Sequence, residues 1–245
     1  MIFSNTRFLR KTGLIFFAFI TVSVFIFSCK SRNEDDEYNK EKEDPTLSSA
    51  YEENDTLAIK TLPPNLSSWI NYYQQFDSAF QLINFKASGV VLHMEEMNNS
   101  SGVTNESVFK VVTAYSPDST KLIDFWSYLR NIEPDENGNQ VMRGGGPDQE
   151  VIIADKKHNS SRQLMYNGTQ QVVETADWLD NNSFVLGLVN TNETGQIWIP
   201  EIYLFNLHDS TFTNFRLNHE IKSDSILLDA DFSRFWLMQK KIRLE

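Results

Sequence analysis

The chain has 245 residues, with 33 acidic and 22 basic side chains, a formal net charge of −11 and a single cysteine. Nucleic-acid binding through a general basic surface is excluded, because phosphate binding requires clustered Lys and Arg. One cysteine also excludes an intramolecular disulfide framework and a cysteine-based zinc or iron–sulfur site. Hydrophobic residues make up 40% of the chain, which is enough for a folded core, and the length suits one domain with appendages.

The N-terminal segment has the pattern of a secretory signal. Arg7, Arg10 and Lys11 form a basic start, and the run from Leu14 to Phe27 is almost wholly apolar. This run is shorter than the ~20 residues that a membrane-spanning helix needs. We therefore expect a signal peptide over residues 1–28.

The residues around the only cysteine carry a family resemblance. Ile26, Phe27, Ser28 and Cys29 resemble the lipobox of bacterial lipoproteins, in which signal peptidase II cuts before the cysteine. The resemblance implies that Ser28 precedes the cleavage point and that Cys29 becomes the mature, lipid-attached N-terminus. Several acyl chains together would hold the protein on a membrane, at ~0.8 kcal/mol for each buried CH₂ group. An uncleaved signal anchor, with Cys29 as an ordinary thiol, is the alternative.

A strongly acidic segment follows the cysteine. The cluster Glu34-Asp35-Asp36-Glu37 resembles the export signal that sends Bacteroidota lipoproteins to the outer leaflet of the outer membrane; a solvated charge run is the alternative. Residues 29–62 as a whole have few apolar groups to bury, which predicts a disordered acidic tether with a reach of roughly 30 Å. The expected location is the cell outer membrane, with the domain facing either the cell surface or the periplasm.

Large apolar residues recur every three or four positions after Pro63-Pro64, and Asn65 is the expected N-cap. They are Leu66, Trp69, Tyr73, Phe76, Phe80 and Ile83. This spacing predicts an amphipathic helix over 66–84, within a segment 63–85 that precedes the β domain. Packing against its own domain is the expected role of the stripe, and binding of a partner is the alternative.

Beyond Gly89 the pattern changes to short apolar or alternating runs separated by turn residues, which predicts an antiparallel β domain over 86–245. The predicted strands are Val90–His93, Val108–Tyr115, Leu122–Trp126, Val151–Ala154, Ser183–Val189, Ile197–Leu207, Phe212–Leu217 and Phe235–Met238. Because Pro200 lacks an N–H group, we expect an edge or a bulge at that point of its strand.

Three segments share the order of an aromatic or acidic residue, a polar turn and an apolar strand; they begin at Tyr115, Trp178 and Asp231. The turn Ser116-Pro117-Asp118-Ser119 resembles the Ser-Pro-Asp-Gly turn of TolB-like and WD40-like β-propeller blades. The resemblance implies propeller-type blades, but a closed ring needs four or more of them. The expected fold is therefore mainly β, either an incomplete stack of blades or a twisted sandwich, with one N-terminal amphipathic helix.

No catalytic or metal-binding constellation stands out in the sequence. The histidines are isolated from one another: His93, His158, His208 and His219. Arg143-Gly144-Gly145-Gly146 lacks the ending of a phosphate-binding loop and predicts a hairpin loop. Asp135–Asn139 has oxygen ligands suited to calcium, but the position of its glycine favours a plain turn. We therefore assign no catalytic residue, metal or cofactor, and a non-catalytic protein is favoured.

Four tryptophans lie in or beside the predicted strands: Trp126, Trp178, Trp198 and Trp236. Rings that share an exposed face form a platform on which sugars stack, whereas burial in the core is the alternative.

The leading hypothesis is a lipid-anchored cell-envelope protein whose non-catalytic β domain binds a protein or a glycan. Its expected partners are the membrane, through acylated Cys29, and an envelope protein or glycan, with no nucleic acid. A surface hydrolase that acts on glycans through paired carboxylates is one alternative. A structural accessory of an envelope complex, docked through the 66–84 stripe, is the other.

Overall fold

The computed structural model of the protein describes residues 56, 57, 59–93, 106–222 and 231–245. The expected signal peptide and the lipidation site, Ser28 and Cys29, lie outside these residues, as does most of the expected tether. Near the end of the tether range, Thr56 forms a β-bridge with Lys86, and Leu57 is only 3% exposed. These last residues pack onto the β domain.

The described part of the chain contains three α-helices, a 3₁₀ segment at Leu82–Asn84 and thirteen strands. The helices are α1 (Pro64–Tyr73), α2 (Glu106–Phe109) and α3 (Phe232–Gln239). The strands are β1 (Phe85–His93), β2 (Ala114–Tyr115), β3 (Lys121–Asp124), β4 (Arg130–Pro134), β5 (Gln140–Gly144), β6 (Gln149–Asp155), β7 (Ser160–Asn167), β8 (Gln171–Trp178), β9 (Ser183–Thr191), β10 (Ile197–Asn206), β11 (Thr211–Leu217), β12 (Ile221–Lys222) and β13 (Ile242–Leu244).

The strands form three sheets. The largest has six strands in the order β1-β11-β10-β9-β8, with β12 added beside β10. A four-stranded sheet has the order β2-β3-β6-β7, and a three-stranded sheet has the order β13-β5-β4. All of these pairs are antiparallel except β13 with β5. The prediction of a mainly β, antiparallel domain is confirmed, and the sheets are not closed into a barrel.

Two groups of four strands are antiparallel meanders. The first is β2-β3-β6-β7, with the β4–β5 hairpin inserted between β3 and β6, and the second is β8-β9-β10-β11. Their first turns touch: the Asp118 N–H donates to Asn181 Oδ1 at 3.1 Å, and Lys121 Nζ donates to the Asn181 carbonyl at 2.9 Å. The first two repeat-like segments of the sequence therefore begin two neighbouring sheets.

Strand β10 changes partners at its proline. Along one side it pairs with β9, and along the other its partner changes from β12 to β11 between Trp198 and Glu201. Pro200 lies in that gap, where a residue without an N–H group is tolerated. The expectation of an edge at this point is confirmed.

Helix α1 is shorter than the predicted helix 66–84. It ends at Tyr73, and Asp77 Oδ1 then accepts the Ala79 N–H at 2.9 Å, a local turn that competes with continued helix. Phe80 is fully buried although it lies beyond the helix, whereas Ile83 is 64% exposed. The regular spacing of apolar residues therefore extends further than the helix does.

The start of α1 also differs from the prediction. Pro63, not Asn65, is the N-cap residue, and it provides no side-chain cap. Instead Asp177 on β8 accepts the Leu66 N–H at 2.6 Å and the Asn65 side-chain amide at 3.0 Å. A strand carboxylate thus satisfies donors that the helix end leaves free.

Two predicted strands are wrong. Phe235–Met238 belongs to α3, whose N-terminus is capped because Asp231 Oδ1 accepts the Arg234 N–H at 2.8 Å. Val108–Tyr115 contains the end of α2 and only the two residues of β2. Apolar runs this short do not separate strand from helix by periodicity. The third repeat-like segment, from Asp231, is therefore a helix start, and the domain has more helix than the one predicted.

The apolar face of α1 is buried against β8 and β9. Leu66, Trp69 and Tyr73 are at most 1% exposed, so the expected packing of the stripe on its own domain is confirmed. Gly187 on β9 makes room for this contact, since a Cβ there would lie 3.2 Å from the Trp69 ring and 2.6 Å from Thr175. No helix in the described ranges is long and apolar enough to cross a membrane.

Candidate functional site

A cleft of about 380 Å³ opens between the two meanders. Its walls come from the segment between β3 and β4, from the start of β4, from β6, from the turn between β7 and β8, from β8, β9 and β10, from the start of α3 and from β13. This volume lies in the range of small-ligand sites, which are usually pre-formed clefts with a few convergent polar groups. The cleft is the candidate functional site.

A buried carboxylate positions the first aromatic residue of the cleft. Asp124, at the end of β3, is 1% exposed, and its Oδ1 accepts the N–H groups of Trp126 at 2.8 Å and Ser127 at 3.0 Å. Its other oxygen accepts the Ser127 hydroxyl. These bonds hold a tight turn after the strand, so Trp126 has a defined place on the wall.

Trp126 belongs to a run of stacked groups. Its ring lies parallel to that of Trp236 on α3, with centroids 5.9 Å apart and an interplanar angle of 2°. The Arg130 guanidinium lies 5.4 Å from the Trp126 centroid, and Lys240 Nζ lies 5.0 Å from the Trp236 centroid. Two cation–π contacts and one ring stack therefore fix Trp126 and Arg130 relative to α3.

Backbone strain and two glycines accompany Arg130. Leu129 is 66% exposed and has a left-handed backbone conformation with φ +53°. Its carbonyl accepts the Gly145 N–H at 2.6 Å. A Cβ on Gly144 would lie 2.6 Å from the Leu129 carbonyl oxygen, and one on Gly145 would lie 2.6 Å from Arg130 Nε. The glycine run thus gives room for Arg130 to reach the cleft, which is a different role from a phosphate cradle.

Two polar atoms of the cleft lack partners. Trp126 Nε1 and Arg130 Nε are buried and have no hydrogen-bond partner among the described residues. Trp126 is 2% exposed. Burial lowers the pKa of the Arg130 guanidinium, and the charge of Asp231 opposes that effect. Buried donors without acceptors are costly, and both of them line this cleft.

Gln149 on β6 joins the two meanders at the cleft. Its amide donates to the Phe125 carbonyl at 3.1 Å and the Val173 carbonyl at 2.9 Å, and its Oε1 accepts the Val173 N–H at 2.7 Å. The side chain therefore satisfies backbone groups of β8 that have no strand partner on this side.

Two carboxylates line the cleft. Glu174 on β8 accepts the Trp69 indole N–H at 2.8 Å and the Tyr73 hydroxyl at 2.8 Å. Burial raises its pKa to about 7, although these bonds favour the ionised form. Asp231 caps α3 and lies 3.8 Å from the Arg234 guanidinium. Both carboxylates are thus already engaged in holding helices.

The structure brings together two of the four candidate tryptophans. Trp126 and Trp198 line the cleft, and Trp198 is partly exposed. Trp236 stacks behind Trp126. Trp178 lies elsewhere, with its Nε1 donating to the Ala114 carbonyl at 3.1 Å. The sequence did not single out Arg130, whose part in the cleft depends on a contact between separate hairpins.

The side chain of His93 lies outside the described part of the structure, and the other three histidines behave as individual side chains. His158 contacts Asp155 at 2.8 Å, and His219 Nε2 contacts Asp77 Oδ2 at 2.6 Å. The side chain of His208 is 85% exposed. The described residues hold no group of three or more potential metal ligands. The turn at Asp135 is closed by its own carboxylate, which accepts the Asn139 N–H at 2.8 Å.

A second cleft of about 280 Å³ lies beside the turns that join the meanders. Lys121, Asp155, His158 and Arg162 line it. Lys121 is bonded to Asn181, and His158 and Asp155 are bonded to each other, so three of these four titratable groups already have partners. The cleft with Trp126 and Arg130 is therefore the better candidate.

Comparison of the chain with protein-family models, with curated proteins and with solved structures finds no match in any of the three.

Proposed function

We propose that the chain is a lipid-anchored cell-envelope protein whose β domain binds a glycan, without catalysis, in the cleft of Trp126 and Arg130. The observation that carries this proposal is the pair of unpartnered buried donors beside a partly exposed tryptophan. An occupant with oxygen acceptors and a C–H face would satisfy the donors and stack on Trp198.

The remaining walls of the cleft suit a saccharide. Thr169, Gln170, Thr191 and Ser233 add hydroxyl and amide groups to them. Sugar hydroxyls both donate and accept, so short polar side chains around an aromatic ring match them better than they match an apolar ligand.

A glycan array probed with the purified domain tests glycan binding, with Trp198→Ala as the site variant. We expect the variant to lose roughly tenfold in affinity, the loss of one stacking contact. Trp178→Phe is the matched control, because that ring lies outside the cleft, and it should leave affinity unchanged. A domain that binds no glycan, or equal losses in both variants, would contradict the proposal.

The anchor rests on the resemblance of residues 26–29 to a lipobox. Intact-mass spectrometry of the membrane fraction, with Cys29→Ala as the comparison, tests it. We expect a mature chain that begins at acylated Cys29, and loss of the domain when whole cells are treated with protease if it faces the surface. A full-length chain with an unmodified thiol would overturn the anchor.

For the finer fold, we propose that the two meanders are propeller-type blades in an incomplete stack. The first meander is a four-stranded antiparallel sheet, and the second supplies four strands of the six-stranded sheet. An aromatic residue, Tyr115 or Trp178, ends the first strand of each meander. A crystal structure of the domain tests this: strand order and inter-sheet rotation as in successive blades would support it, and two sheets packed face to face would favour a sandwich.

A glycan hydrolase is the second candidate, because Glu174 and Asp231 both line the cleft and the pKa of Glu174 is raised to about 7, as for a general acid. Incubation of bound glycans with the protein, followed by assay of new reducing ends, tests it. We expect none, since both carboxylates hold helices. Turnover that Glu174→Gln abolishes would replace the binding role with a catalytic one.

A further inference from the structure

The unpartnered groups of the cleft share one chemical property. Trp126 Nε1 and Arg130 Nε are both donors, and neither can accept a hydrogen bond. The other two unpartnered buried atoms found in the described ranges, Thr175 Oγ1 and Asn214 Oδ1, belong to residues that do not line this cleft. An occupant must therefore bring hydrogen-bond acceptors to the part of the cleft formed by Trp126 and Arg130.

Arg130 has no ion-pair partner among the described residues, and the charge of Asp231 acts on it only from a longer distance. No carboxylate of the described residues lies within ion-pair distance of its guanidinium, and the nearby Asp231 is bonded to the Arg234 N–H and faces the Arg234 guanidinium. The exposed Arg143, in contrast, pairs with both Glu133 and Glu245 at 2.8 Å. In a chain with 33 acidic and 22 basic side chains, the half-buried guanidinium of Arg130 is left without a directly paired carboxylate.

Beside Arg130, donor geometry and positive charge favour an anion, whereas the carboxyl groups of Glu174 and Asp231 line other parts of the cleft. A guanidinium binds planar carboxylate or sulfate oxygens through two parallel N–H groups, and such charge-assisted bonds are about twice as strong as neutral ones. The indole N–H of Trp126 adds a third donor from the ring that Arg130 covers. Because Trp236 and Lys240 hold that ring from α3, these donors are already in place before a ligand binds.

We propose that the cleft binds an acidic saccharide, whose carboxylate or sulfate group lies on Arg130 Nε and Trp126 Nε1 and whose neighbouring sugar ring lies on Trp198. This inference rests on the proposed glycan-binding function and specifies its ligand class.

The experiment is calorimetric titration of the mature protein with trigalacturonate and with its methyl ester, which has the same sugar chain but neutral ester groups in place of the carboxylates. We expect trigalacturonate to bind at least about tenfold more tightly at low salt, and this preference to shrink as salt is added. A sulfated oligosaccharide and its desulfated form make a second matched pair, which shows whether sulfate replaces carboxylate.

Variants assign the preference to residues. Arg130→Gln should abolish the preference for the charged member of either pair and leave binding of the neutral member. Arg143→Gln removes the same charge outside the cleft and should change nothing. Trp126→Phe keeps the ring and removes the donor, so it should weaken acidic binding several-fold. If Arg130→Gln does not fold, two other measurements test the same point. One is the salt dependence of the wild-type preference. The other is the affinity of Arg130→Lys, which keeps the positive charge but lacks the two parallel N–H groups of the guanidinium.

The outcomes separate this inference from the function on which it rests. If charged and neutral members of both pairs bind equally well, and Trp198→Ala weakens that binding, the proposed preference for an acidic ligand is wrong and the glycan-binding function still stands. A preference that survives Arg130→Gln overturns it as well. If the protein binds neither member of either pair and no glycan of the array, both the acidic-ligand inference and the glycan-binding function are wrong.

Discussion

At the scale of single residues, Gly145 links the backbone to the cleft. It has φ +93°, and a Cβ there would lie 2.6 Å from Arg130 Nε. Gly138 has a similar φ of +82° but open space around it. Alanine substitutions at these two positions therefore share the cost of a left-handed backbone, and only the one at Gly145 adds a contact with Arg130.

We expect Gly145→Ala to weaken binding of trigalacturonate about tenfold, because the new methyl group displaces the guanidinium. Both Gly145→Ala and Gly138→Ala should lose about 1 kcal/mol of stability from the left-handed backbone. Calorimetric titration and thermal unfolding of both variants measure the two effects. Unchanged affinity in a folded Gly145→Ala variant would show that Arg130 does not depend on this space.

Glu174 makes the stability depend on pH. Its folded pKa of about 7 lies above the ordinary value of 4.5, so between these pH values the folded state binds more protons than the unfolded state. Stability conferred by the buried acid is therefore full below about pH 4.5 and falls as the pH rises to about 7, by on the order of 3 kcal/mol.

We expect Glu174→Gln to flatten this decline, because the amide carries no charge at any pH and its oxygen still accepts the Trp69 N–H. Urea unfolding of wild type and variant at a series of pH values from 4.5 to 7.5 measures it. Glu136→Gln, at an exposed turn position, is the control and should leave the slope as it is. A variant with the wild-type slope would mean that another group causes the decline.

At the scale of elements, α1 depends on a strand for its N-terminus. Pro63 offers no capping side chain, and the Asp177 carboxylate on β8 receives both Leu66 N–H and the Asn65 amide. Burial raises the pKa of Asp177 to about 6, so the capping group is ionised at pH 7. The cap and the strand that supplies it are more than a hundred residues apart in sequence, as are Glu174 and its partners on α1.

Asp177→Ala should cost about 1–3 kcal/mol, since it leaves a buried Leu66 N–H without an acceptor. Asp177→Asn keeps an acceptor and should cost less. Urea unfolding at pH 7 gives both values. Ser68→Ala removes an exposed hydroxyl of the same helix and should stay within about 0.5 kcal/mol of wild type; a loss in Asp177→Ala no larger than this would contradict the capping role.

At the scale of the whole molecule, the two meanders share an apolar core and are linked by hydrogen bonds, among them one set from a buried side chain and one at the surface. Gln149 bonds to backbone groups of Phe125 and Val173 in the interior, whereas Asn181 bonds to Asp118 and Lys121 at the surface. Buried bonds of this kind contribute more to stability than exposed ones, because their loss leaves unsatisfied backbone groups.

We expect Gln149→Ala to destabilise the domain by about 2–3 kcal/mol and Asn181→Ala by less than about 0.5 kcal/mol. Differential scanning calorimetry measures both and also tests cooperativity: the wild-type domain should unfold in one transition. Two resolved transitions in the wild type would mean that the meanders are independent units and that the cleft between them is not a fixed site.

The sequence alone determined the β character of the domain, since alternation and turn residues are local properties. It also identified the two repeat-like turns, the edge at Pro200 and two tryptophans of the cleft, Trp126 and Trp198. It did not separate helix from strand at Phe235–Met238, where the run is short, and it extended α1 past Tyr73, because Phe80 is buried without being helical.

Only the tertiary structure decided the site. Arg130 lies on the inserted β4–β5 hairpin, Glu174 on the second meander and Asp231 at the start of α3, and no local pattern places them together. Likewise, Trp126 and Arg130 have unpartnered donors only because the surrounding chain buries them without supplying acceptors. Periodicity reports which face of an element is apolar, whereas a binding cleft depends on which distant elements meet, and that is set by packing of the whole chain.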